Sequence, residues 1–525
     1  MLWSRFFIIL GFLTNMVRRV FRVPFYSSEG VVASETALAS SIGVKVLELG
    51  GNAVDASVAV SLMLSINIPH LGGLGGDFFA LVKDPQGRIT FINGSGYAPS
   101  SMTLEFIKSL GLKEVPLEGP LSVVVPGMID GLRVMWEELG SLEWGKIVDL
   151  VINSVKKGFP ISPSFATALN NFKDVLIKDV GSRKTYYSNI QYYTPGQLVR
   201  FDNIVKTLDL IKENPRYFYE SDIAIKISEY VRSLGGVISY EDMRNYRASI
   251  EEPIKINLDK ITVYEMPPNT QGITTLQLLK LLEEERIDKP NSISRLRMYV
   301  NLFKTVYKLR DLYVGDPRYM SIKIDELLNI NLLRDNSSKQ GRNSHTDGDT
   351  TYFAVIDREG TIVSGIQSLF YPFGSKITEP TYGVTLNSRA SSFNLTPNHP
   401  NSLAPLKKPL HTLSAMIVLT EDKEIALGLS GGHFRPRLHA EIFQNMFKYG
   451  MNLQEAIEYP RFIWYPGTST IEFEEGFEEG IIEGYILRKV KYPSRLGVAA
   501  AAEIRGRVKA SYVDVRGDGL ALGLL

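Results

Sequence analysis

The chain has 525 residues, 44% of them hydrophobic and 22% charged, with 58 basic residues against 57 acidic ones. That balance suits an ordinary globular protein with a large core and gives no electrostatic reason to bind nucleic acid or an anionic surface. With no cysteine and six scattered histidines, the sequence excludes disulfides, a thiol nucleophile and thiolate metal sites, and it offers no paired metal-ligand spacing. No metal or other cofactor is therefore expected.

The first element, "FFIILGFL" (6–13), is apolar but too short to span a bilayer. It runs into "NMVRRVFR" without a small-residue cleavage site, so residues 1–28 are taken as an extension, with the working chain beginning near Met16. A cytoplasmic protein without a stable membrane span is expected. Residues 34–49 carry helical spacing and stop at Gly50-Gly51, and 52–66 resume a buried helical pattern. "GGLGGDFF" (72–79) is a tight turn leading into a strand, which pairs with 89–96. A mostly helical stretch is expected from about 129 to 335, followed by a polar loop at 336–349. Strands follow at 350–357, 361–368, 383–387, 413–420 and 424–430, with helices at 438–449 and 453–458. "TYFAVI" is apolar on both faces, as in a sheet covered on both sides. The pattern predicts a layered α+β fold built from two distant stretches of chain.

Several motifs, in this order and spacing, resemble the γ-glutamyltransferase family of N-terminal-nucleophile hydrolases. They are "GGNAVDA" (50–56), "PHLGGLGGDFF" (69–79), "VPGMIDGL" (125–132), "GGVISYEDMRNY" (235–246), "PPNTQG" (267–272), "VGDP" (314–317), "GDTTYFAVID" (348–357) and "GLSGGHFRPR" (428–437). The resemblance runs from about residue 29 to the C-terminus. It implies a four-layer αββα sandwich that cuts itself between Asp349 and Thr350 into a large subunit, 29–349, and a small catalytic subunit, 350–525. Together these form one composite domain, with a homodimer of such pairs as a possible assembly. Thr350 would then be the nucleophile. A hydroxyl is weak until a base takes its proton, and the freed α-amine, with an ordinary pKa near 8, can be that base. By the same resemblance Ser368 holds the nucleophile, and Gly431 and Gly432 offer backbone N–H groups to the oxyanion. "GGNAVDA" reads as structural.

The departures from the family concern substrate. Ser95 of "SGYAP" stands where an arginine normally grips the γ-glutamyl carboxylate, and Ser392 of "LNSRASSF" stands where an aspartate binds the α-amine. Phe370 replaces an asparagine, and His411 and Thr412 replace a pair of serines. The segment between Phe393 and Pro409 is shorter than in members with a lid. Arg389 suits a carboxylate and repels an ammonium, and Asn387, Ser392, His411 and Thr412 are expected to contact the substrate with it. An acyl group with a terminal acid and no α-amine follows, as in the oxamate amidohydrolase and cephalosporin-acylase-like branch that these motifs also resemble. Asp77 and His433 are further candidates for orienting the small-molecule amide. Alternative readings remain for single residues: an ordinary strand threonine, a structural ion pair for Arg389, a turn for the two glycines and a loop histidine. For the whole protein the alternatives are a true γ-glutamyl transpeptidase or glutathione hydrolase, and an uncut, inactive homologue that serves as a binding protein.

Overall fold

The computed structural model describes residues 21–525 apart from 189, 288, 336–348 and 466–467. The expected extension up to residue 20 and the polar loop before Asp349 lie outside the described residues. The fold begins earlier than residue 29, because Phe25–Ser27 pairs antiparallel with Val508–Val513.

Two seven-stranded sheets form the centre. In spatial order the first runs Leu520–Gly523, Val31–Ser34, Asp349–Ile356, Ile362–Phe370, Asp77–Lys83, Ile89–Gly94 and Ser249–Glu251. The second runs Phe25–Ser27, Val508–Val513, Ala499–Arg505, Glu424–Leu429, Met416–Leu419, Ile261–Glu265 and Ile254–Leu258. Every neighbouring pair in both sheets is antiparallel. Each sheet thus draws strands from both sides of the Asp349–Thr350 bond, so a cut there leaves two pieces that share both sheets.

The inner faces meet in a core that includes Phe79, Tyr352, Ala354, Ile366, Ile417 and Ala502. Helices cover the outer faces. Ala53–Asn67 lies on the first sheet, buried along its whole length, and Gly272–Glu283 and Arg435–Phe447 lie on the second. This is the αββα sandwich expected from sequence. The two-sided burial of residues 350–356 explains why this strand's apolar run does not alternate.

"GGNAVDA" is structural, as read. Asn52 and Asp55 form a capping box at the start of the Ala53–Asn67 helix. Asp55 also accepts from Ser141 N and Leu142 N, and Asp357 caps from the central strand by accepting from Ala53 N. One expectation changes. The stretch 129–335 is not all helix, since Ser249–Glu251, Ile254–Leu258 and Ile261–Glu265 are sheet strands. The end of the chain, which gave no sequence expectation, adds the strands Thr470–Glu474, Ile486–Val490, Ala499–Arg505, Val508–Val513 and Leu520–Gly523. Their alternation is masked because "AAAAEIR" carries small residues where the two sheets approach each other.

Candidate active site

The site sits where the first sheet's central strands end. Asp349 pairs with Phe370 and Thr351 with Gln367, so Thr350 faces two residues, Ser368 and Leu369, across a β-bulge. Bulges of this kind re-aim side chains and are common beside active sites. On its other side Ser368 pairs with Asp77. The register therefore lines up Thr350, Ser368 and Asp77 across three adjacent strands. Thr350 is only 1% exposed, and its hydroxyl donates to Ser368 Oγ over 3.4 Å, longer than an ordinary O–H···O bond. Ser368 Oγ also accepts from Phe370 N at 2.8 Å, which holds Phe370 at φ +85°. For a bulky residue that left-handed backbone costs on the order of 1–3 kcal/mol, and such strain collects at functional sites.

Phe370 carries the next part of the site. Its ring lies 4.2 Å from the Arg389 guanidinium and 6.3 Å from the His433 ring. Arg389 is fully buried; its Nε donates to Asp77 Oδ2 at 3.3 Å and its Nη1 to Thr412 Oγ1 at 3.2 Å. Nη2 is buried with no hydrogen-bond partner. Burial pulls the Arg389 pKa down to about 10, with the Asp77 carboxylate working the other way.

Asp77 is saturated. Oδ1 accepts from Gly96 N at 2.8 Å, and Oδ2 accepts from both His411 Nε2 at 2.9 Å and Arg389. Burial alone raises a carboxyl pKa, but here His411, Arg389 and the Gly96 N–H outweigh it, so Asp77 stays below the usual range. His411 is pushed down to about 3, by burial first and then by Arg389. The neutral tautomer with its proton on Nε2 satisfies both contacts, because Nδ1 accepts from Leu413 N. Asp77 and His411 therefore hold Arg389 in place.

Asn387 is likewise committed. Its Oδ1 accepts from Val124 N and Arg389 N, and its Nδ2 donates to Gly75 O and Val124 O. Expected as a substrate contact, it shapes the loop that carries Arg389. Ser392 Oγ is buried without a partner, while Ser95 Oγ donates to Asn93 Oδ1 at 2.7 Å.

On the second sheet, Gly431 and Gly432 end the Glu424–Leu429 strand with φ of +144° and +47°. A side chain on Gly431 would also meet Leu438 at 2.8 Å, so only glycine fits there. Gly431 O accepts from Phe434 N at 2.8 Å, and a planar peptide then turns the Gly432 N–H the opposite way. His433 Nδ1 is buried without a partner. Burial and then Arg310, Arg389 and Arg435 hold its pKa far below the ordinary value, so the ring is neutral.

The sequence singled out most of this constellation, and the fold brings Thr350, Ser368, Asp77, Arg389, His411, Thr412 and His433 together. Arg310, Gln271 and Arg435 were missed. They act through space on loops from other elements, and the only signal was the place of Gln271 in "PPNTQG", of Arg435 in "GGHFRPR" and of Arg310 shortly before "VGDP". Among the described residues, no group of His, Asp and Glu side chains could hold a metal ion, and no helix is long and apolar enough to cross a membrane.

Comparison with known proteins gives the same picture. The family model described as gamma-glutamyltranspeptidase matches residues 39–524. A glutathione hydrolase-like YwrD proenzyme of Bacillus subtilis (strain 168) is 31% identical over an alignment of 520 residues that covers 94% of this chain and 98% of that one. An oxamate amidohydrolase proenzyme of Klebsiella pneumoniae is 28% identical, over 87% of this chain and 90% of its own. The crystal structure of cephalosporin acylase from Bacillus halodurans superimposes with a TM-score of 0.89 at 27% identity, covering 97% of this chain and 98% of that one. The αββα sandwich is thus the N-terminal-nucleophile hydrolase fold, and the chain belongs to the gamma-glutamyltranspeptidase family.

Proposed function

We propose that the protein is a self-cutting amide hydrolase or acyltransferase whose nucleophile is Thr350 and whose acyl group carries a carboxylate but no α-amine. In the cutting step the Thr350 hydroxyl attacks the Asp349 carbonyl carbon. The Asp349–Thr350 amide bond breaks, the threonine nitrogen keeps the pair and takes the hydroxyl proton, and an ester joins Asp349 to Thr350 Oγ. Water hydrolyses that ester, leaving Asp349 as a carboxylate and Thr350 with a free amine and hydroxyl. The proenzyme names of the relatives support large and small subunits from one precursor.

In turnover the amine takes the hydroxyl proton as Thr350 attacks the substrate amide, and then delivers it to the leaving amine. Ser368 holds the nucleophile from across the bulge. Gly431 and Gly432 donate to the oxyanion, a preorganised arrangement that needs no rearrangement as charge develops. Water, or an acceptor amine, then takes the acyl group.

One observation carries the specificity reading. Arg389 is buried on the Phe370 ring beside Ser368, with a guanidinium arm that has no partner. Its Nε is spent on Asp77, so the grip on a carboxylate uses Nη2 and the remaining Nη1 proton. No acidic side chain stands at position 392 to receive an ammonium, and the relative named for oxamate suits the same chemistry. His433 and Thr412 complete the pocket wall. The test is a comparison of glutaryl-p-nitroanilide with γ-glutamyl-p-nitroanilide on the cut enzyme. The reading expects the glutaryl compound to have the larger kcat/KM. A preference for the γ-glutamyl compound would instead give the enzyme the specificity named by the glutathione hydrolase relatives.

A further inference from the structure

Gln271 is the residue just before the Gly272–Glu283 helix, and it is completely buried. Its Nε2 donates two hydrogen bonds of 2.7 Å, one to Gly432 O and one to Thr412 O. Its Oε1 accepts from Arg310 Nη1 at 2.9 Å. Arginine only donates, so this contact decides which end of the amide faces which neighbour, and Nε2 must point at the two carbonyls. Arg310 is itself fixed by Asp311, which takes both Nε and Nη2. The backbone around Gln271 is tied to the same strand, with Gln271 N donating to His411 O and His411 N to Asn269 O.

The two carbonyls belong to the two working parts of the pocket. Gly432 is in the glycine pair that faces the oxyanion, and Thr412 presents the hydroxyl that holds Arg389 Nη1. With Gly431 O already taken by Phe434 N, the Gln271 bond anchors the next carbonyl and fixes the peptide planes on both sides of Gly432. Arg435 reinforces the arrangement by donating to Leu429 O and Thr412 O.

We infer that Gln271 is a positioning residue that sets the glycine N–H groups against the acyl-group pocket, so that a substrate held at Arg389 has its carbonyl oxygen where those N–H groups converge. The inference rests on the proposed threonyl acyl transfer, but not on the identity of the acyl group.

The test compares Gln271→Glu and Arg310→Met with the unmodified, cut enzyme, on whichever of the two anilides that enzyme hydrolyses faster. Gln271→Glu keeps an acceptor for Arg310 but removes both donated bonds. Arg310→Met leaves the amide free to turn over. Misplacement of this kind costs on the order of 10²-fold in rate, so Gln271→Glu is expected to lose about that much kcat with KM within threefold. Arg310→Met is expected to lose roughly tenfold with the same signature. A boronic acid with the matching acyl chain, which bonds to Thr350 as a tetrahedral anion, should lose affinity in step with kcat, whereas the free acyl carboxylate should inhibit as before. A purely structural role would weaken both inhibitors together, and that result, or kcat within twofold of the parent in both variants, would overturn the inference. A folded Gln271→Glu protein that never cuts would also overturn it, by placing the residue in maturation. If the unmodified enzyme cuts but hydrolyses only γ-glutamyl compounds, the specificity reading fails while this test still runs.

Discussion

Replacing Arg389 with methionine separates the two jobs assigned to it. Two unit charges about 4 Å apart in a medium of effective dielectric 20 attract by about 4 kcal/mol, and part of that is offset by desolvation of the incoming carboxylate. Removing one partner of a buried, hydrogen-bonded charge pair costs about 2–5 kcal/mol. Arg389→Met is therefore expected to lower kcat/KM for the glutaryl anilide by roughly 30- to 4,000-fold, using about 1.4 kcal/mol per tenfold. The same change leaves Asp77 with only His411 and Gly96, so Tm should fall as well. The control is an uncharged butyryl anilide, whose kcat/KM should stay within about threefold because it never used the guanidinium. Stopped-flow or plate assays of p-nitroaniline release measure both, and circular dichroism melts supply Tm. Equal losses on charged and uncharged acyl groups would refute the reasoning, since Arg389 would then be a strut for Asp77 alone.

Other expectations follow from the same geometry. Arg389→Gln combined with Ser392→Asp removes the cation and supplies an acid, so preference should move toward γ-glutamyl anilide by at least tenfold. An unchanged ratio would deny that these two positions set specificity. Gly431→Ala forces φ +144° on a residue with a side chain and drives its Cβ toward Leu438, so turnover should fall on the order of 10²-fold. Activity near that of the parent would remove the glycines from the oxyanion role. Acid should destabilise the fold through His70 and His411, both held near 3 by burial, and through His433, held well below its usual value. Below about pH 6.5 the unfolded chain takes up protons that the native state refuses, so stability is lost as pH falls. The slope is about 1.4 kcal/mol per pH unit for each ring and about 4 kcal/mol per unit for the three together. His70 stacks on Phe165 at 5.3 Å, and His70→Phe should flatten the slope of Tm between pH 6 and 4; an unaltered slope would contradict this account.

The layered fold was legible because its central strands are apolar on both faces and its motifs keep family order. Thr350, Ser368 and the glycine pair were singled out as candidates on the same motif order. The supporting contacts were not, because Gln271 reaches Thr412 and Gly432 from 141 and 161 positions away in the chain. Asn387 reads as a ligand in sequence because it lies in "LNSRASSF", the element that resembles the family's substrate-binding one. Only its four contacts with surrounding backbone show that its hydrogen bonds are spent on the loop. The strand Ala499–Arg505 was hidden by its alanines, which carry no strand signal, while Ala500 and Ala502 fit the space between the sheets.

The central claim is that Thr350 becomes an N-terminal nucleophile. Its most direct test is intact mass and N-terminal sequencing of the purified chain, warmed while folded, beside Thr350→Ala. The account predicts two fragments, with the smaller beginning at Thr350, and a variant that stays whole. A folded parent chain that never cuts would contradict it and leave the protein as an uncut relative with a binding role, and a variant that cuts at the same place would contradict it by showing cleavage without the Thr350 hydroxyl.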